Sequence, residues 1–294
     1  MTLDVSIGKL RLKNPLILAS GILGSYSSSL NIISKYAGAV VTKSVSFEKR
    51  EGYKNPVVIN WKHGLLNAVG LANMSAKDFS NELKKFNKAC PLIVSIYGYS
   101  AEDISNLTAL FPMADAFEIN LSCPHVKGLG ADIAEDQELV KDILAETKKK
   151  TRKPVFAKIP YSKNIIELGK IAEECKIDGV VAINTIKGLR IDIKSRKPVL
   201  SNIFGGVSGE AIKPMALKCV WDLYEEIKIP IIGVGGITTY EDVIEFILAG
   251  ASAVQIGSAF FYSYKIIKSI KESLESFTRV YGPISELIGA AHRV

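Results

Sequence analysis

Short runs of consecutive apolar residues recur along the chain, and between them apolar positions return every three or four residues. Eight runs stand out, at residues 16–19, 39–42, 92–95, 116–120, 155–158, 179–183, 231–234 and 253–256. Their near-continuous apolarity predicts parallel strands covered on both faces. Pro91, Pro154 and Pro230 each precede one of them, where any earlier helix must already have ended. Helical spacing predicts the connecting elements. Over 134–150, acids come early and lysines late, with Ile133, Leu139, Val140, Ile143 and Leu144 available for an inner face. Before the first run, Leu3, Val5, Ile7, Leu10 and Leu12 alternate like a short β-ribbon.

Eight strand–helix alternations with right-handed crossovers close most simply into a barrel. The expected fold is therefore α/β, a (β/α)8 TIM barrel with a short N-terminal β-ribbon, and the expected organisation is one domain over 1–294. An open doubly wound sheet would carry G-x-G-x-x-G after its first strand, and Gly21-Ile22-Leu23-Gly24 departs from that pattern. Glycines instead follow the seventh run, as Gly233-Val234-Gly235-Gly236, and the eighth, as Gly257-Ser258. Barrels hold phosphates on these two loops, through backbone N–H groups that need no lysine.

Composition excludes several classes. A chain of 294 residues with 48% hydrophobic residues can bury a large core. Its most apolar stretch, 243–261, is interrupted by Glu245, Gly250, Gln255 and Gly257, so no membrane span is expected. No basic and apolar leader opens the sequence, which points to a cytosolic protein. The formal charge of +7 owes much to clusters such as Lys148-Lys149-Lys150-Thr151-Arg152-Lys153. That cluster ends a predicted helix, where cations complement the dipole, so a solvated face is expected rather than a nucleic-acid surface. The four cysteines, Cys90, Cys123, Cys175 and Cys219, form no C-x-x-C pair, and no metal site is expected from their spacing.

In a barrel, residues at the C-terminal ends of the strands converge on one mouth. Here they are Ser20, Lys43, Ser44, Ser95, Asn120, Lys158, Asn184 and Thr185. Amides and two lysines dominate, with almost no carboxylate. A buried lysine usually answers a negative charge, and an anionic cofactor would supply it. Lys158 could stabilise the charge of a reduced flavin whose phosphate lies on the glycine loops. Asparagine presents donors and an acceptor on one plane, matching the alternating edge of a pyrimidine, so Asn67, Asn120 and Asn184 are candidate readers. Each alone would more often form just an Asx-turn, so only their joint placement carries weight. Cys123 heads the loop after the fourth run, where a thiolate could act as base or nucleophile, whereas Cys90, Cys175 and Cys219 read as small buried hydrophobes. His125 stands two residues on, but Pro124 restricts the turn between them.

Taken in order, these residues resemble the dihydroorotate dehydrogenase family over essentially the whole chain. The matching segments are Ala19-Ser20-Gly21, Thr42-Lys43-Ser44, Asn67-Ala68-Val69-Gly70-Leu71-Ala72-Asn73 and Asn120 to Pro124. Further on come Ala157-Lys158, Asn184-Thr185, Gly205-Gly206-Val207-Ser208-Gly209, Gly235-Gly236 and Gly257-Ser258. The resemblance implies one FMN per chain and oxidation of (S)-dihydroorotate to orotate in pyrimidine (UMP) biosynthesis. It implies that Cys123 takes the C5 proton while hydride leaves C6 for flavin N5. Orotate would be held by Lys43, Asn67, Asn120, Asn184 and Thr185, with Ala68, Val69, Gly70 and Leu71 against its carboxylate. FMN would be held by Ser20, Lys43, Ser44, Asn120, Lys158, Ile183, Gly209, Gly235, Gly236, Gly257 and Ser258.

A cysteine base is similar to the soluble class 1 enzymes, and Cys-Pro-His-Val-Lys resembles the class 1B type. That type works with an electron-transfer subunit carrying FAD and a [2Fe–2S] cluster, as a heterotetramer of two catalytic and two electron-transfer chains. A fumarate-using homodimer is the alternative assembly. His125 stands where the family commonly has asparagine and looks like the FMN domain of dihydropyrimidine dehydrogenase, which keeps uracil or thymine reduction as an alternative. Ser95 stands where class 1 enzymes often have asparagine, which weakens a flavin contact there. tRNA dihydrouridine synthases share Asn-x-x-Cys-Pro, but carry a helical RNA-binding domain for which the chain after Phe261 has little room. The long segment 186–206 is expected to form part of the pocket cover.

Overall fold

A computed structural model describes residues 3–122 and 133–293. In chain order its strands are β1 (Val5–Ile7), β2 (Leu10–Leu12), β3 (Leu16–Leu18), β4 (Ala39–Val41), β5 (Val58–Trp61), β6 (Gly64–Asn67), β7 (Leu92–Ile96) and β8 (Ala116–Asn120). They continue with β9 (Val155–Ile159), β10 (Gly179–Ala182), β11 (Ile186–Leu189), β12 (Ile191–Asp192), β13 (Lys197–Pro198), β14 (Phe204–Ser208), β15 (Ile231–Val234) and β16 (Ala251–Ile256). The helices are α1 (Ser27–Ile33), α2 (Ala76–Leu83), α3 (Ala101–Leu107), α4 (Gln137–Lys150), α5 (Ile165–Glu174), α6 (Lys213–Glu226), α7 (Tyr240–Leu248), α8 (Ile266–Tyr281) and α9 (Ile284–Leu287).

Eight strands close into a parallel barrel in the order β10-β15-β16-β3-β4-β7-β8-β9. Each predicted apolar run supplies one of them. The near-continuous apolar runs are buried on both faces: every residue of β3, β4, β7, β8, β9 and β10 is buried. Leu18, Val40, Ile93, Phe117, Phe156 and Val254 are among the wholly enclosed side chains. Full burial of each such side chain stabilises by about 1.5–3 kcal/mol, so a filled interior, not a pore, holds the strands together. The ribbon β1–β2 is present as expected, with apolar side chains in and polar ones out. Ile7 packs beside Gly179 at the start of β10, so the ribbon lies against the N-terminal end of the barrel.

Two boundaries differ by more than one residue from the sequence reading. The helix expected over 134–150 begins at Gln137, because the Asp136 side chain accepts from Leu139 N at 3.0 Å and caps it there; Ile133–Glu135 is a separate 3-10 turn. The last strand begins at Ala251 rather than 253, through a bulge that pairs Ile231 with Ala251 and Ile232 with Ala253. Of the lysine run, Lys148 pairs with Asp178 and Lys149 with Glu146, as suits a solvated helix end. No helix among the described residues is long and apolar enough to cross a membrane.

Beyond the barrel stands a four-stranded antiparallel sheet, β11-β14-β6-β5. The segment 186–206 supplies β11 and the start of β14, with β12 and β13 as a hairpin between them, so the expected cover is a sheet. Its other half, the β5–β6 hairpin, left little signal in sequence because β5 is largely exposed and its apolar contrast is low. Leu66, Ala68 and Leu200 form a small second core beneath this sheet. Gly206 is required at the junction: a Cβ there would lie 2.0 Å from Thr185 Oγ1.

One helix start makes a pH prediction. Thr239 and Asp242 form a capping box on α7, and Asp242 also pairs with Lys213 at 2.6 Å. Burial would raise the Asp242 pKa, but the Lys213 ammonium and the N–H groups of Thr238 and Thr239 outweigh it and hold the carboxyl below its usual range. A depressed folded-state pKa gives stability that is present above the unfolded value and lost as pH falls through the folded one, here below about pH 4. Asp242→Asn is expected to lower stability by about 2 kcal/mol at pH 7 and to flatten the acid limb of a denaturation profile. Equal acid limbs in both proteins would dismiss the assignment.

Candidate active site at the barrel mouth

The strand ends deliver the predicted side chains to one place. Ser44, just past β4, shares a hydrogen bond with Ser95 of β7 at 2.9 Å. Asn120, the last residue of β8, reaches Ser44 Oγ at 3.5 Å with its amide nitrogen. Its oxygen accepts from Ser122 N at 3.1 Å and from Asn184 Nδ2 at 3.3 Å. Asn184 in turn accepts from Thr185 N at 2.8 Å. On the cover sheet, Asn67 donates to Gly206 O at 3.2 Å, and Gly206 faces Thr185. A polar chain thus crosses the mouth from Ser95 through Ser44, Asn120 and Asn184 to Thr185, and meets Asn67 from above.

The loop after Asn67 is held in one shape. Gly70 and Leu71 both take left-handed backbone, at φ +70° and +57°. Arg50 Nε donates to Gly70 O at 2.7 Å, and Tyr97 Oη donates to Leu71 O at 3.2 Å and to Asn73 Oδ1 at 2.6 Å. Ala68 is buried, and Val69, Gly70 and Leu71 are partly exposed. Lys43 has no carboxylate partner among the described residues, and burial pushes its ammonium below the ordinary lysine pKa. It is a cation placed to receive an anion.

Beneath the mouth, the predicted Lys158 and Ser20 meet two residues that the sequence reading did not single out as site residues, Glu118 and Gln255. Lys158 Nζ lies 3.0 Å from Gln255 Oε1, 3.2 Å from Ser20 Oγ and 3.5 Å from Glu118 Oε1. Gln255 Nε2 donates to Glu118 Oε2 at 2.5 Å. Glu118 is fully enclosed, and Lys158 and Gln255 are 3% and 1% exposed. The sequence did carry a signal for Glu118: it interrupts an apolar strand two residues before Asn120, and side chains two apart share a face. The mouth is amide-rich as read, but its floor holds a carboxylate.

The glycine loops stand on adjacent strands, Gly235-Gly236 after β15 and Gly257-Ser258 after β16. Gly236 takes φ +73°, and a Cβ there would lie 2.9 Å from Gly209 O, so these two glycines approach each other closely. Among the described residues, a Cβ at Gly257 would meet nothing nearer than Ala19 Cβ at 3.4 Å, and one at Gly21 nothing within 4 Å. Ile183 is buried and continues the barrel ladder to Val234 O at 3.1 Å. Ser122 Oγ is buried with no hydrogen-bond partner among the described residues. A lysine and a buried hydroxyl without partners among the described residues, open space over Gly21 and Gly257, and the tight Gly235-Gly236 turn fit the donor set of an anionic planar cofactor with a phosphate tail. Cys123 and His125 lie outside the described residues.

Of the other cysteines, Cys90 and Cys219 are buried as read, whereas Cys175 is only partly buried. Cys90 precedes β7, Cys175 ends α5 and Cys219 lies on α6, away from the mouth. Burial pushes the Cys90 thiol up to about 12 and that of Cys219 to about 11, with nearby Asp115 and Asp222 adding to it. No group of three or more metal-ligating side chains occurs among the described residues.

A parallel barrel with paired glycine loops on its last two strands and an amide-and-lysine mouth defines an enzyme class that holds an anionic cofactor against a small polar substrate. Within that class, the chain belongs to the Dihydroorotate dehydrogenase family, whose sequence profile matches residues 2–278. It is 58% identical over 295 residues to the dihydroorotate dehydrogenase B (NAD+) catalytic subunit of Archaeoglobus fulgidus, covering 99% of each chain. It is 45% identical over 300 residues to the protein of the same name from Pyrococcus furiosus, covering both chains completely. With that of Methanocaldococcus jannaschii it shares 43% identity over 300 residues, across 99% of this chain and 98% of the other.

Proposed function

We propose that this chain oxidises (S)-dihydroorotate to orotate in pyrimidine biosynthesis, as a single FMN-binding barrel domain over 1–294. The polar chain across the mouth carries the reading: Asn120, Asn184, Thr185 and Asn67 converge from two barrel strands and the cover sheet. These groups suit the alternating C=O and N–H edge of a pyrimidine ring. Lys43 meets negative charge on substrate and cofactor, and the backbone of Ala68, Val69, Gly70 and Leu71 lies against the substrate carboxylate.

Ser20, Lys43, Ser44, Asn120, Lys158 and Ile183 hold the flavin ring, while Gly209, Gly235, Gly236, Gly257 and Ser258 hold its phosphate tail. When bound, FMN supplies the acceptor for the hydride leaving C6. Cys123 Sγ takes the C5 proton, so both C–H bonds that break are accounted for. The cover sheet excludes water from the mouth.

Their name, catalytic subunit, supports an analogous arrangement here: a partner chain with FAD and a [2Fe–2S] cluster removes the electrons, in an assembly of two catalytic and two electron-transfer chains in the cytoplasm. Anaerobic addition of dihydroorotate to the purified protein is expected to bleach its flavin absorbance in one turnover. A flavin that dihydroorotate leaves oxidised would overturn the reading. Perturbation of the flavin spectrum by uracil or thymine, and not by orotate, would move the substrate to those bases.

A further inference from the structure

We propose that Glu118 and Gln255 are positioning residues that fix the place of Lys158 beneath the mouth and offset part of its field, and so set the reduction potential of the flavin. The proposal rests on the FMN reading above. Its ground is the order of contacts: ammonium, amide, carboxylate, drawn from three barrel strands, β9, β16 and β8.

Gln255 stands between the two charges. Its oxygen accepts from Lys158 and its nitrogen donates to Glu118 Oε2, which suits a cation on one side and an anion on the other. Glu118 Oε1 faces the ammonium at 3.5 Å and makes no hydrogen bond among the described residues. The two charges therefore form an ion pair at 3.5 Å, bridged by the amide and short of a direct hydrogen bond, and Lys158 also donates to Ser20 at the rim.

A fully enclosed carboxylate is expensive, and an apolar side chain would fill the same space more cheaply. What the acid supplies is charge. In a water-poor interior an ammonium acts strongly on a developing anion, and a carboxylate close behind it offsets part of that field. The attenuated cation favours accepting two electrons without trapping them, which an enzyme that must pass electrons onward requires. Gln255 keeps the attenuation partial by preventing collapse of the ammonium onto the acid.

The test is spectroelectrochemical titration of the FMN-loaded protein near pH 6.5. Glu118→Gln removes the offsetting charge and is expected to raise the midpoint potential by at least about tenfold in the two-electron equilibrium, about 30 mV. Glu118→Asp, which keeps the charge, is expected to fall between the parent and Glu118→Gln. Gln255→Met keeps both charges and lets the ammonium close on the carboxylate, so its potential is expected to fall. Opposite signs from two neighbouring substitutions are not what a merely structural role produces.

If Glu118→Gln fails to accumulate as folded flavoprotein, the sign of the Gln255→Met shift decides alone. A change of less than about twofold in the equilibrium, roughly 10 mV, in the variants that fold overturns the proposal. Protein that carries no flavin, or flavin that dihydroorotate does not reduce, overturns the FMN reading and the proposal with it. Flavin that dihydroorotate reduces at an unmoved potential overturns the proposal alone.

Discussion

Cys123→Ala is expected to slow flavin reduction by dihydroorotate by about 10²- to 10⁴-fold, the usual contribution of a positioned base, while FMN content stays at the parent level. The other cysteines cannot substitute for it. Cys90 and Cys219 have thiols raised to about 12 and about 11, and all three sit away from the strand ends that build the mouth. Cys123 follows directly on Asn120 to Ser122, whose hydrogen bonds tie that loop to Asn184. Cys123→Ser should also retain FMN but need higher pH for comparable turnover, because a hydroxyl gives up its proton less readily than a thiol of ordinary pKa about 8.5. Anaerobic stopped-flow absorbance across a pH series measures both variants. An alanine variant slowed less than about tenfold would remove the base role from Cys123, and FMN loss in either variant would make the residue structural.

The barrel was legible because parallel strands buried on both faces must be apolar throughout, and such runs are hard to produce otherwise. The paired glycines after β15 and β16 were legible for a related reason: only a close backbone approach or a left-handed turn demands them, as Gly236 shows. The β5–β6 hairpin was not, because a half-exposed sheet over a mouth has neither a strict alternation nor a continuous run. Glu118 and Gln255 were hidden differently. Each is one polar residue inside an apolar strand, and its meaning depends on strands 137 positions apart in the chain being brought together by barrel closure. The joint placement of Asn67, Asn120 and Asn184 had the same dependence, and it was the resemblance, more than any local pattern, that linked them.

Lys158→Met is expected to destabilise the protein by about 3–5 kcal/mol, lowering the melting temperature on the order of 10 °C, because it leaves an enclosed carboxylate without its cation. The loss should not depend on flavin alone: Glu118 is buried by the barrel itself, so protein stripped of FMN should show it too. Adding Glu118→Met removes the uncompensated charge and should recover part of the stability. Recovery stays partial because Gln255, 1% exposed, then keeps both ends of its amide without a partner. Adding Gln255→Met as well should bring stability back to near the parent or above it, since three side chains of similar length then fill the same space with no polar atom to satisfy. Flavin reduction should not return in either combination, because the cation proposed to meet the reduced ring is gone. Denaturant melts of the single, double and triple variants measure the series. A single variant as stable as the parent, or a triple variant no better than the single, would mean that the three residues do not form one charge-balanced unit, and that fold and potential are set elsewhere.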